Sequence, residues 1–374
     1  MKTAATRKKL GGLAVLYISG FVGAGYSSGQ EVLEFFASHG GSGLVPILLF
    51  PLLLTVLSLI FLWTARRKRS SRYEEIVSPV ASPLVRGGID LIVSVFIVIA
   101  IVSSIAAIGS ILQRLTGLPP FVGNLLAAGL AAGLLMIGSI QRTASLLKPF
   151  LLLFLVCVCV ICIFILVTVK PSVSAFAPVG SEAASLSGGP LFWLALYVSY
   201  NLLVLIGVLS PVSEDIPAGK KLAALGIFCP LLISATIALQ YFALIRLYPD
   251  GNAAEMPLIH AASLISPLFS GIYQILMLAA AVCTVVSCLN STIDRVGRIG
   301  LLQRLPRPAL IAGAALLLFL CSLIGFSNVI RYVYPAIGFL GFFVLALLVI
   351  SYIKLRIHKK HTAIGQKEAS HETA

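Results

Sequence analysis

The sequence predicts an all-α integral membrane protein whose ten transmembrane helices fall into two five-helix halves of opposite orientation. Three observations carry this. Of the 374 residues, 59% are apolar and 11% charged, against about 45–50% and about 25% in soluble domains. Apolar runs of spanning length recur ten times, at about 10–38, 43–65, 89–112, 121–140, 149–169, 190–212, 222–247, 267–292, 308–326 and 333–354. With a cytoplasmic N-terminus, only Arg114, Lys170, Arg246 and Arg331 of the 27 Lys and Arg residues fall on the outside, which is the bias of the positive-inside rule.

The net charge of +14 is therefore a topology label and does not advertise a nucleic-acid partner. Both termini are expected in the cytoplasm. The chain is a single transmembrane domain, with a first repeat at 10–169, a second at 190–354 and a cytoplasmic polar tail at 355–374.

The first run, LGGLAVLYISGFVGAGYSSGQEVLEFFASHG, is the most irregular. Gly20, Gly23, Gly25, Gly29 and the pair Ser27-Ser28 sit midway through it, where helix is poorly supported. An unwound segment is expected at about 23–28. Such backbone is tolerated at membrane depth only against protein or a water-filled cavity, so the break predicts a binding site at Gly23, Ala24, Gly25, Ser27 and Ser28. The half-helix restarting near Gly29 points its amide end at the break, which suits an anion. Glu31 and Glu34 fall in its first turns; an acid at this depth reads as a proton carrier or a partner for a substrate amine.

The second to fifth runs are plain Leu, Val, Ile and Ala. The segment between the second and third, RRKRSSRYEEIVSPVASPLVRGG, reads as a topology anchor beside anionic lipid. All seven cysteines lie inside apolar runs, Cys157, Cys159 and Cys162 among them, and read as packing residues with no metal site. The segment 170–189 is an irregular Ser, Gly and Pro-rich connection.

The sixth run carries Tyr197, Ser199, Tyr200 and Asn201 at its middle. It opens the second half as the first run opens the first half, and matching interruptions in inverted halves point to a transporter site. Helices 1 and 6 are both expected to be interrupted there, with Tyr197, Tyr200 and Asn201 lining the site. Residues 248–266 start with a turn signal, Pro249-Asp250-Gly251, and continue as a short amphipathic helix.

These residues carry a resemblance. GFVGAGYSSGQEVLEFF followed by a Gly-rich turn, with YVSYNLLVLIGVLSP in the sixth run, resembles the YkvI-like family of uncharacterised bacterial membrane proteins, which look like members of the amino acid-polyamine-organocation superfamily with its LeuT-type fold of 5+5 inverted repeats. The resemblance implies a multi-pass protein of the bacterial cytoplasmic membrane. It also implies a secondary transporter in which Gly23, Ala24 and Gly25 offer amides to a substrate carboxylate. A sodium site in many relatives uses helix 1 carbonyls and helix 8 hydroxyls three and four residues after a backbone ligand. Here Thr284, Ser287 and Cys288 have that spacing, but a neutral thiol is a poor ligand for a hard cation. Lys148 stands on helix 5, where some proton-coupled relatives carry a lysine in place of the ion. Asp90 and Asp294 are candidates for interface salt bridges.

The expected activity is secondary active transport of an amino acid or similar small zwitterionic solute, coupled to H+ or Na+, by alternating access around the breaks in helices 1 and 6. The alternative is a ligand sensor that keeps the transporter fold without transporting, as germinant receptors do. An enzyme is not expected, since no Cys or Ser pairs with His within a span. Apart from the coupling ion no cofactor is expected, and the partners are the lipid bilayer and a small-molecule solute.

Overall fold

The computed structural model describes residues 2–137, 140–170, 188–247, 255–296 and 302–372. All regular structure among them is helical. Six helical stretches are long and apolar enough to cross a membrane: Ala37–Lys68, Pro83–Thr116, Pro190–Asp215, Lys220–Arg246, Pro267–Asn290 and Phe326–His358. Four shorter apolar helices, Leu10–Phe21, Pro120–Met136, Leu152–Thr168 and Arg307–Ser322, lie among them.

The first run folds as three helices: α1 (Lys2–Phe21), α2 (Ala24–Ser28) and α3 (Gln30–Phe35). A 3-10 turn over Ala37–Gly43 leads into α4 (Leu44–Lys68), and the short α5 (Tyr73–Val77) precedes α6 (Pro83–Thr116). Helices α7 (Pro120–Ile137) and α8 (Ile140–Thr168) follow. Then come α9 (Pro190–Leu209), α10 (Lys220–Arg246), the short α11 (Pro257–Ile265), α12 (Pro267–Val296) and α13 (Arg307–Ser322). Last are α14 (Phe326–Asn328), a π turn over Val329–Val333 and α15 (Tyr334–Glu372). The expected amphipathic helix after Asp250 is α11, whose Leu258, Ile259, Ala261 and Ala262 are buried. The segment 355–374 is polar, yet α15 runs through it as far as Glu372.

Polar contacts sort the helix ends into two groups. At one end, Arg66 donates to the Ile216 carbonyl at 2.6 Å, the Arg356 guanidinium lies 4.8 Å over the Trp63 ring, and Arg295 reaches Asp90 at 3.3 Å and Ser94 at 2.7 Å. Tyr73 donates to Asp90 and accepts from Arg295. Burial, and then the Asp90 acceptor, push the Tyr73 hydroxyl well above its ordinary range, so it stays a donor. Asp90 thus takes the salt-bridge role expected of it, joining α5, α6 and α12. At the other end, Arg246 donates to the carbonyls of Leu166 and Val169, Asn124 to the Ser322 carbonyl, and Tyr241 to the Gly40 carbonyl.

Close crossings depend on small residues. A Cβ on Gly338 of α15 would lie 2.8 Å from the Leu196 carbonyl oxygen of α9, and the Ser199 hydroxyl donates to the Gly338 carbonyl at 2.8 Å. Small residues at such a crossing let two backbones approach and add an interhelical hydrogen bond.

Candidate functional site

The interruption in the first run differs in detail from an unwound stretch. The helix stops at Phe21, resumes for one turn at Ala24–Ser28, and stops again at Gly29. The serines hold that turn. Ser27 donates through its hydroxyl to the Gly23 carbonyl at 2.7 Å, and Ser28 to the Gly25 carbonyl at 2.9 Å while accepting from the Gln30 amide at 3.1 Å. The Ser28 hydroxyl thus satisfies the Gly25 carbonyl and the Gln30 amide that the second break leaves over. Gly29 makes the second break at φ 81, a left-handed conformation that other residues adopt poorly.

Breaks were expected at the middle of both the first and the sixth runs, but the sixth leaves the α-helix only at its end, where a 3-10 turn over Ser210–Asp215 follows Leu209. Helix α9 is continuous from Pro190 to Leu209, so the sixth run is not interrupted at Tyr197–Asn201. The reason is local: no Gly or Pro lies between Leu191 and Ile206. The polar groups also find partners without breaking the helix, Asn201 donating to the Tyr197 carbonyl one turn back at 2.9 Å and Ser199 across to α15.

A cavity of about 810 Å³ lies between α1, α2, α6, α9 and α12. It opens towards Gly12 on α1 and the exposed Asp215, and its inner wall includes Gly23, Ala24, Glu31, Tyr200, Asn201 and Tyr334. Thr284, Ser287 and Cys288 of α12 face the same space. Glu31 is 4% exposed, and Tyr200 donates to its Oε2 at 2.7 Å. Its carboxylate folds back onto the break: an ideal Cβ on Gly25 would lie 2.6 Å from Glu31 Cγ. Glycine at 25 is what makes room for the acid.

Beyond Glu31 the cavity is sealed. Tyr197 packs at the centre of a buried aromatic group, its ring centroid 5.2 Å from Phe35, 4.9 Å from Phe36, 5.3 Å from Phe50 and 5.3 Å from Tyr200. Trp193 closes the edge at 5.6 Å from Phe35. Above this layer Arg331 of the π turn donates to Glu34 Oε1 through Nε at 3.1 Å and Nη2 at 3.0 Å, and Gln30 donates to the same oxygen at 3.0 Å.

The structure therefore divides the residues singled out in the sequence. Gly23, Ala24, Glu31, Tyr200, Asn201, Thr284, Ser287 and Cys288 share one cavity. Gly25 backs the Glu31 carboxylate, Ser27 and Ser28 serve the local backbone, and Tyr197 packs its ring in the seal while its hydroxyl faces Glu31. Glu34 is ion-paired in the seal and does not line the cavity. The Thr284 hydroxyl donates to the Ala280 carbonyl at 3.2 Å. The side chains of Lys148 and Asp294 lie outside those described. Three residues of the site escaped the sequence reading. Phe96 and Tyr334 flank Tyr200, with centroids 6.2 and 5.1 Å away, but nothing sets them apart from other aromatics in apolar runs. Arg331 did carry a signal, as one of four cations on the side that should have few.

No family model matches the chain. It is 22% identical over 337 residues to the uncharacterised membrane protein YkvI of Bacillus subtilis strain 168, covering 88% of this chain and 92% of that protein. Among solved structures, MhsT in complex with L-phenylalanine superposes with a TM-score of 0.64 at 16% identity, over 91% of this chain and 87% of MhsT. A manganese transporter of Eremococcus coleocola, in complex with an aromatic bis-isothiourea compound, gives 0.53 at 11% identity, over 91% and 84%. The YkvI-like resemblance read from the sequence is thus borne out, and the fold is the LeuT-type fold of these transporters.

Proposed function

We propose that this YkvI-like chain of LeuT-type fold is a secondary active transporter of a small amine-bearing organic solute, the class to which amino acids belong, and that Glu31 couples transport to protons. The observation that carries the reading is a buried carboxylate in the wall of a cavity that is open at one end and sealed at the other. A one-sided cavity around a broken helix is one half of an alternating-access cycle. The other half would open the Glu34–Arg331 pair and the aromatic layer while the vestibule beside α1 closes.

In this reading ten crossings form two inverted halves, 10–169 and 190–354, with the basic ends in the bacterial cytoplasm. The cavity then faces inward. Thr284 and Ser287 supply hydroxyls for a sodium ion, but Cys288 offers sulfur to a cation that prefers oxygen, and this favours the proton. Coupling through Glu31 needs no second ion site.

Uptake by the full chain in proteoliposomes tests this, with amino acids and primary amines each driven by a pH gradient or a sodium gradient. Protein-free vesicles give the background for membrane-permeant amines. Accumulation above that background under the pH gradient, lost in Glu31→Gln, is the expected result. Uptake that follows sodium alone and survives Glu31→Gln overturns the coupling role, and no uptake of any solute overturns the transporter reading.

A further inference from the structure

The charge of the cavity constrains its occupant. Glu31 is the one charged side chain among the described residues of its inner wall. The other acid of the lining, Asp215, is exposed at the mouth, and no Lys, Arg or His is among the described lining residues. The nearby cation, Arg331, is already engaged by Glu34 on the far side of the aromatic layer. The remaining wall is largely apolar, with Leu13, Phe21, Val93, Phe96, Val204 and Leu276.

A solute carboxylate in this space would stand beside a fixed carboxylate with no protein countercharge, in a medium that screens poorly. Nor does the break offer an open anion site, because the Glu31 side chain itself covers Gly25 and α2 is a single turn. An ammonium group meets the opposite situation. It finds one carboxylate oriented by the Tyr200 hydroxyl and apolar walls for the rest of the molecule. With no cation beside it, a buried carboxylate is most cheaply kept by taking up a proton.

We infer that the cavity takes a small organic ammonium ion lacking a carboxylate, held on Glu31, and that this ion exchanges with the proton the same carboxylate otherwise carries. The exchange balances: a cation arrives at a protonated Glu31, the proton leaves to the solution on that side, and the ion pair remains. One cation and one proton then cross in opposite directions without net charge movement. The exchange rests on the transporter reading, whereas the binding preference does not. The titratable or charged groups on α3 and on the elements packed against it are Glu34, Tyr26, His39, Tyr197, Tyr200, Arg331 and Tyr332, together with Lys220, Lys221, Cys229, Tyr241 and Arg246 of α10, and Tyr334 lies across the cavity. Glu34 and Arg331 neutralise each other, Lys220 and Lys221 are exposed at the start of α10, Arg246 donates to carbonyls of α8 and its C-cap at the opposite end, and the tyrosines other than the exposed Tyr332 are buried hydroxyls.

Binding to the purified full chain in detergent tests the inference with matched pairs, phenethylamine against L-phenylalanine and isopentylamine against L-leucine. The amines are expected to bind at least tenfold more tightly than their amino acids and to release one proton per molecule in weakly buffered solution. Their affinity should fall about tenfold per pH unit once Glu31 is protonated in the empty site. Glu31→Gln should abolish amine binding. If that variant does not fold, Tyr200→Phe should move the pH at which affinity falls upward while keeping the limiting affinity at high pH. Tighter binding of the amino acids, pH-independent amine binding, or no binding of either overturns the inference. Uptake of L-phenylalanine without uptake of amines would overturn it and keep the transporter reading. Amine binding with proton release but no transport would do the reverse.

Discussion

The first and sixth apolar runs both carry polar residues at their middle and differ in whether the helix is interrupted there. The first contains glycine at the positions where its backbone turns, and it breaks at Val22–Gly23 and at Gly29. The sixth contains polar side chains at mid-span but no glycine there, and it stays helical through Tyr197, Ser199, Tyr200 and Asn201. Polar side chains within a membrane helix can return their hydrogen bonds to the preceding turn or across a helix contact, so their presence alone does not unwind it. Glycine removes the Cβ that would otherwise fill the space of an approaching group. One span thus supplies the opening and the charge, and the other a rigid wall carrying the hydroxyl that orients it.

Substitutions that exchange these characters should break the contrast. The largest effect is expected at Gly25→Val, whose side chain would overlap the Glu31 carboxylate. Transport should fall to the level of empty vesicles while the protein still inserts, as read by uptake and by size-exclusion profile. Arg331→Gln should come next, because it leaves Glu34 buried without its cation; with the Arg331 side chain part-exposed, the unsatisfied acid is worth about 1–3 kcal/mol. The sealed conformer should lose that much, and cysteine labelling at Tyr197→Cys in this background should become faster from the Arg331 side. Gly338→Ala should cost about 1–3 kcal/mol through overpacking against the α9 backbone, seen as a lower melting temperature. Asn201→Leu should change stability least, by about 1 kcal/mol, since it removes a single bond within its own helix. If Asn201→Leu abolishes uptake while leaving the melting temperature unchanged, the sixth span supplies chemistry as well as a wall.

Much of the all-helical membrane fold was legible because membrane insertion writes it in one dimension, as apolar length. The break in the first span was legible for a related reason, since a run of glycines and serines has few other uses at that depth. The fate of Glu34 was not, because its partner Arg331 lies 297 positions away and nothing local to either residue specifies the other. Tyr197 was legible in part, since its hydroxyl faces the Glu31 carboxylate while its ring is the keystone of an aromatic layer that only the fold assembles. Side chains with both a polar tip and a large apolar body are ambiguous until their neighbours are known.

The seal over the cavity leaves two acceptors, Gln30 Oε1 and Glu34 Oε2, without a hydrogen-bond partner among the described residues. A door that must swing in both directions gains from such incompleteness. If every lone pair in the closed arrangement were matched, the open arrangement would lie so far uphill that a solute gradient could scarcely populate it. Leaving two oxygens for water to claim on opening narrows the gap between the two arrangements, which lets a modest ligand decide between them.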